Sequence, residues 1–425
     1  MLRLNQIIGS CVLAGTFFLT ISAHAGTYYV ATTGSDANTC AKAQTSSTPK
    51  KTIPAGVKCL TGGDTLIIKA GTYLNQQILN PPPGSASRYT TIKADPAGAR
   101  PVIVPNGANG QQGFYCSNGA ACRYIELHGF EITKAYNSVK LYGSSTIGYP
   151  HHVRFINNLM HDTVHTNVFI VTSDTGFQGG DHLFQNNTFY RTGVGNPGYK
   201  PGHNTIYNPG NRTIIENNKF HNLAHGVGIW HSGKSIQKVI VRRNIFHDIG
   251  RSNTDTWQQG NGTFSGVHVS SPGGGHRIYN NLIYRSGDES TFGGIKVGGA
   301  TGSDINYIYN NTIYDIKNAG AYAIRISATT GTHYVKNNIA YLGGKAFLGG
   351  SRSNNLTTNP SFKSVGSDDF RLLSVSAAIN KGLVLSEVPT DFLGGRRPMG
   401  SSHDIGAYEY GASSTLSPPT SLSVQ

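Results

Sequence analysis

Four short segments in the second half of the chain share one alternation of apolar and polar positions. They are Gly228-Ile229-Trp230-His231-Ser232, Gly266-Val267-His268-Val269-Ser270, Gly294-Ile295-Lys296-Val297-Gly298 and Ala323-Ile324-Arg325-Ile326-Ser327. Each reads small, aliphatic, variable, mostly aliphatic, small. Side chains of a strand point alternately to its two faces. Aliphatic positions that face a core therefore turn the central residue outward. If the strands stack, Trp230, His268, Lys296 and Arg325 form a column on one outer face. The same register extends upstream, where Val139-Lys140-Leu141 puts Lys140 outward and Val168-Phe169-Ile170 puts Phe169 outward. Asn204-Thr205-Ile206 puts Thr205 outward, with its register open by one residue, a slip that would reverse its faces.

A second pattern surrounds these strands. The marker Asn-Asn-X-apolar begins at 157, 186, 217, 280, 310 and 337, with a degenerate copy at Arg243-Asn244. A core motif repeated at a variable period means fixed strands joined by variable loops. It predicts an all-β chain, a single-stranded right-handed parallel β-helix (a solenoid) with an N-terminal cap. Asparagines stacked at one corner satisfy each other's amides, and Asn tolerates the left-handed backbone such a corner needs. His161, His221 and His247 follow the markers and are expected at corners. A short helix over 54–60 and the strand Asp64–Tyr73 belong to the cap. The segment after Asn355 is read as a cap at the other end.

Beyond the repeat, residues 1–25 read as a signal peptide: Arg3, an apolar stretch from Ile7 to Ile21, then Ala23-His24-Ala25. Residues 26–410 form one β-helix domain with terminal caps. Residues 411–425 are Ser/Pro-rich and read as a disordered tail or a linker. Four cysteines remain after cleavage, and in an exported chain they favour disulfides. Cys40–Cys59 with Cys116–Cys122 is the simplest of three pairings. The formal net charge of +14 suits an acidic partner. For an exported protein that means an acidic polysaccharide before nucleic acid. No nucleic acid, no membrane after signal cleavage and a monomer are expected.

The chain also resembles a known group. Tyr28-Tyr29-Val30, Lys51-Thr52-Ile53, Gly63-Asp64-Thr65-Leu66 and Gly71-Thr72-Tyr73 resemble the opening of exported right-handed β-helix proteins of the pectate-lyase-like superfamily. Asp404-Ile405-Gly406-Ala407-Tyr408-Glu409 resembles their closing motif. Within that group, Lys296 and Arg325 on adjacent turns are similar to the lysine and arginine of the chondroitinase B/alginate lyase family. That resemblance implies a calcium ion, for which Asp288 and Glu289 are the candidate ligands. It also implies secreted or periplasmic polysaccharide lyase activity on a uronate-containing glycan.

The column residues suit that chemistry. β-Elimination requires the uronate carboxylate to be neutralised, a base to take the C5 proton and an acid to protonate the leaving oxygen. Lys296 is the candidate base, Arg325 the carboxylate clamp, and His268 an acid or alternative base. Trp230 offers a ring for a sugar, and Lys140 and Phe169 offer distant subsites. His165 and His225, each just before a column strand, are expected to flank the groove. A glycoside hydrolase would need two carboxylates across the cleft, and none occupies an outward column position. A C5-epimerase would use nearly the same groups as a lyase. A carbohydrate-binding or adhesive β-helix would use the column as a surface alone.

Overall fold

A computed structural model of the chain describes residues 25–172, 179–193, 204–230, 235–250, 265–270, 272–287, 292–298, 304–327 and 331–413. The signal-peptide stretch 1–24, Asp288, Glu289 and the tail 414–425 lie outside the described residues. Three long sheets run the length of the molecule, with 12, 10 and 10 strands, and every pairing within them is parallel between successive turns. The fold is an all-β right-handed parallel β-helix. Inward-facing Ile, Val, Leu and Phe side chains fill the solenoid in one continuous core, each contributing about 1.5–3 kcal/mol by leaving water. Among the described residues no helix is long and apolar enough to cross a membrane.

The two asparagines of each marker do different work. The first takes the left-handed conformation, with φ between 50° and 58° at Asn157, Asn186, Asn217, Asn280, Asn310 and Asn337. Arg243 takes it too, at φ 55°. The second builds an unbroken ladder, buried through Asn158, Asn187, Asn218, Asn244, Asn281, Asn311 and Asn338 and ending on the half-buried Asn355. Each backbone N–H donates to the Oδ1 one turn on, at 2.9–3.1 Å. Each Nδ2 from Asn158 to Asn338 donates to that same Oδ1 and to a carbonyl of the preceding turn. The degenerate marker is tolerated because Asn244 keeps the ladder position.

At the N-terminal end, strand Thr27–Val30 and helix Ile53–Val57 close the solenoid. Thr52 Oγ1 caps the helix by accepting from Ala55 N, and Ile53 and Val57 join the core. Gly56 permits the close approach, since a Cβ there would lie 2.3 Å from Val30 Cγ2. The expected disulfides are both formed, Cys40–Cys59 and Cys116–Cys122.

The C-terminal segment differs from a simple end cap. It runs back along the side of the last turns. Phe370 packs on Tyr284 and Tyr314, and Leu385 and Val388 cluster with Tyr279 and Tyr309. The outward first asparagines hold its backbone: Asn280 donates to Thr390 O, Asn310 to Asp404 O, Asn337 to Leu383 O and Asn354 to Lys381 O.

Two buried histidines are expected to make the fold acid-sensitive. His182 and His276 are buried, and their Nδ1 atoms accept from Val153 N and Val239 N. Burial drives their pKa values down from 6.5 to about 3 and about 4. Both are neutral in either state above pH 6.5. As pH falls below that, the unfolded chain binds protons that the folded chain refuses. Stability therefore drops toward pH 4, by about 1.4 kcal/mol per pH unit for each histidine. The next rung already uses Asn306, whose Oδ1 accepts from His276 N. His276→Asn is thus expected to fold and to flatten this slope by about one proton, read from denaturant unfolding at a series of pH values.

Candidate functional site

The second sheet carries the column on its outer face. Its strands, in chain order, are Ile78–Leu79, Phe114–Cys116, Val139–Gly143, Val168–Thr172, Asn204–Tyr207, His225–Ile229, Val267–Val269, Phe292–Val297, Tyr322–Ile326 and Lys345–Leu348. Backbone pairing fixes which residues share a rung line. Leu79 pairs with Tyr115, Tyr115 with Lys140, Lys140 with Phe169, and Phe169 with Tyr207. Tyr207 pairs with Gly228, Gly228 with His268, His268 with Lys296, and Lys296 with Arg325. Arg325 pairs with Leu348, the last rung. The inward neighbours Val267, Val269, Ile295, Val297 and Ile324 are buried, so His268, Lys296 and Arg325 face out on three consecutive turns. All three are partly exposed.

Two expected positions move. Trp230 does not face His268. The chain uses Val227 and Ile229 as its inward pair, opposite Val267 and Val269, which puts Gly228 on the rung line. Trp230 lies two residues farther along, about 7 Å down the strand, with its ring centroid 5.3 Å from that of Tyr207. Thr205 is buried, and its hydroxyl donates to His225 O. Tyr207 takes the outward place instead, because Ile206 aligns with Val168. The parallel between Val168-Phe169 and Ile206-Tyr207 was the sequence signal for it.

His165 and His225 are 4 % exposed. His165 shares a 2.8 Å hydrogen bond with Asn137 Oδ1 and stacks on Tyr136. Both histidines are buried, so neither side chain forms an exposed rim. His161, His221 and His247 are not corner residues either. They join tyrosines in a stacked ladder on the third sheet, His161–Tyr190–His221–His247–Tyr284, with planes within 4–17° of parallel. The bend falls on the residue after each ring, as at Asp162, Asn222 and Asp248.

The electrostatics of the three rungs are coupled. Burial and then the neighbouring Lys296 lower the His268 pKa to about 4, so its imidazole is neutral across the physiological range. His268 Nε2 is buried and has no hydrogen-bond partner among the described residues. Burial and then Arg325 lower the Lys296 pKa. Gly298 leaves space beside the amine; a Cβ there would meet Lys296 Cε at 3.4 Å and Ser327 Oγ at 3.1 Å. The rung line carries no carboxylate. Among the described residues no group of three or more His, Cys, Asp or Glu is placed to hold a metal ion. Asp255, a carboxylate that a hydrolase could draw on, lies outside the described residues.

Several solved structures share this parallel β-helix architecture. The pectate lyase Pel9A superposes with a TM-score of 0.61 at 20 % identity, covering 90 % of this chain and 96 % of that one. An alginate lyase from Paenibacillus sp. str. FPU-7 superposes at 0.51 and 17 % identity, covering 72 % and 96 %. A GH136 lacto-N-biosidase from Eubacterium ramulus superposes at 0.51 and 13 % identity, covering 78 % and 68 %. No known family and no curated protein matches the chain in sequence. Likeness at these identities establishes the fold, and activity has to be argued from the site.

Proposed function

We propose that the chain is an exported polysaccharide lyase that cleaves a uronate-containing polysaccharide by β-elimination at Lys296. The observation that carries this reading is the in-register sequence His268, Lys296, Arg325 on adjacent turns of one outer face. Two of the similar solved structures are lyases by name, and two disulfides suit an exported chain.

The neutral Lys296 amine takes the C5 proton of the uronate. The freed electron pair forms the C4–C5 double bond, and the C4–oxygen bond breaks. The proton carried by Lys296 passes to the leaving oxygen, so the amine is regenerated. Arg325 binds the carboxylate and stabilises the charge that builds on it as the proton leaves. His268, neutral beside Lys296, adds no positive charge and accepts a hydrogen bond rather than acting as an acid.

The test is an ultraviolet assay for the unsaturated product on a panel of polygalacturonate, alginate, rhamnogalacturonan and chondroitin sulfate, with and without EDTA. New reducing ends without the ultraviolet signal would mean hydrolysis, and the proposal would fall. The EDTA arm decides whether calcium, with Asp288 and Glu289 as ligands, belongs to the site.

The lowered Lys296 pKa has a directional consequence. Activity rises with pH as the amine deprotonates, on a limb below the ordinary lysine value of 10.5. Arg325→Gln removes the neighbouring cation and is expected to move that limb to higher pH, besides lowering kcat/KM. A profile that keeps its limb in place in Arg325→Gln counts against Lys296 as the titrating base.

A further inference from the structure

We infer that the groove holds its polymer asymmetrically, on a long aromatic arm toward the N-terminal end and with about one to two sugar residues beyond the cationic rungs. The inference rests on the proposed acidic glycan substrate and adds where that chain lies and how long it must be.

Phe169, Tyr207 and Trp230 form a continuous aromatic run next to the cations. Their ring centroids are 5.3 Å apart in each pair, and the planes are tilted by 55° and 57°. That tilt distinguishes them from the other ring column of this molecule. In the His/Tyr ladder of the third sheet the inner rings are nearly parallel, and each covers the faces of its neighbours. Neither of these two contacts is face to face, so neither covers a ring face that a sugar would stack on. Each is partly exposed.

The run lies on one side of the chemistry only. Four rung steps separate Lys296 from Phe169, about 19 Å at the usual strand spacing. An extended pyranose chain advances by roughly one rung per sugar, so this arm spans about four residues. Lys140, its Nζ 5.4 Å from the Tyr115 ring centroid, adds a cation farther out. On the other side only Arg325 and the 38 % exposed Leu348 follow Lys296, and no later strand joins this sheet among the described residues. Affinity is therefore concentrated on one side of the scissile bond. Cleavage is expected to need long chains and to release short fragments from the weakly held side.

The experiment uses the panel polymers and size-fractionated oligomers of whichever is bound. kcat/KM is expected to climb with oligomer length to about five or six residues and then level off. In Trp230→Ala and Tyr207→Ala the ratio of kcat/KM on long over short oligomers is expected to fall by about 10-fold or more. Phe169→Leu, milder in volume, should fall in the same direction, and thermal melting identifies any variant that has lost its fold. The same substitutions placed on Lys296→Met should weaken polymer binding without any turnover being needed. A length profile already flat at disaccharides, or folded arm variants with an unchanged ratio and unchanged binding, overturns the inference, as does a wild type that binds none of the polymers. If arm variants lose binding while Lys296→Met still turns over, the arm stands and the elimination mechanism falls.

Discussion

Lys296→Met is expected to lower turnover of the polyuronate substrate by about 10²–10⁴-fold and to leave polymer affinity within about 10-fold of the wild type. Methionine keeps most of the volume and the apolar stem, so the flanking Ile295 and Val297 stay in the core. What disappears is the amine and with it the proton acceptor. Binding persists because Arg325 and the aromatic rungs remain. The same substitution also removes the charge that helps lower the His268 pKa, and the imidazole is expected to titrate nearer 6.5, visible by NMR. The paired measurement separates an enzyme from a binding module. A module would lose a modest amount of affinity and have no turnover to lose. Turnover in Lys296→Met within 10-fold of the wild type would exclude Lys296 as the base.

The second large effect is on stability. Arg397 and Glu409 are fully enclosed, their side chains 0 % and 1 % exposed, with Nη1 2.6 Å from Oε2. Arg397 also donates to Asp404 O at 3.0 Å and Gly406 O at 2.7 Å. Glu409 accepts from Met399 N and Asp404 N. Arg397→Leu leaves a carboxylate buried without its cation, in a place where burial already raises its pKa. Removing one partner of such a pair costs about 3–5 kcal/mol. The loss is to be read from denaturant unfolding and from protease sensitivity of the C-terminal segment. Arg397→Leu/Glu409→Gln removes the orphaned charge while keeping an acceptor, and is expected to recover part of the loss. If the double variant is no better than the single one, the charge is not the cause.

The repeat made the solenoid legible. A recurring Asn-Asn marker and small–aliphatic–X–aliphatic strands leave few other ways to bury the apolar positions. The cationic rungs were legible for the same reason, since aliphatics on both sides of His268, Lys296 and Arg325 fix their faces. Trp230 was misplaced by one residue pair, because Gly228-Ile229-Trp230 fits the strand pattern as well as Gly226-Val227-Gly228 does. Only contact with the neighbouring turn decides between them. Tyr207 was missed because Thr205 shares its parity, and a hydroxyl that satisfies itself on His225 O can be buried. The ring ladder of the third sheet was hidden because its members are a mixture of His and Tyr. Composition gives no hint that such residues will stack. The side-lying C-terminal segment was unreadable for another reason. Its anchors, Asn280, Asn310 and Asn337, lie up to 110 residues away in sequence and belong to a motif that already had an explanation.

That segment changes how the solenoid responds to force. A bare β-helix pulled from its C-terminus can release one turn at a time, each rung costing only its own contacts. Here the pull meets first a strap that reaches back to Asn280, pinned by Asn310, Asn337 and the enclosed Arg397. The final turns cannot peel until it detaches. Mechanically the last turns behave as one unit in series with looser ones, so a stretching experiment should record a single high-force event before any staircase.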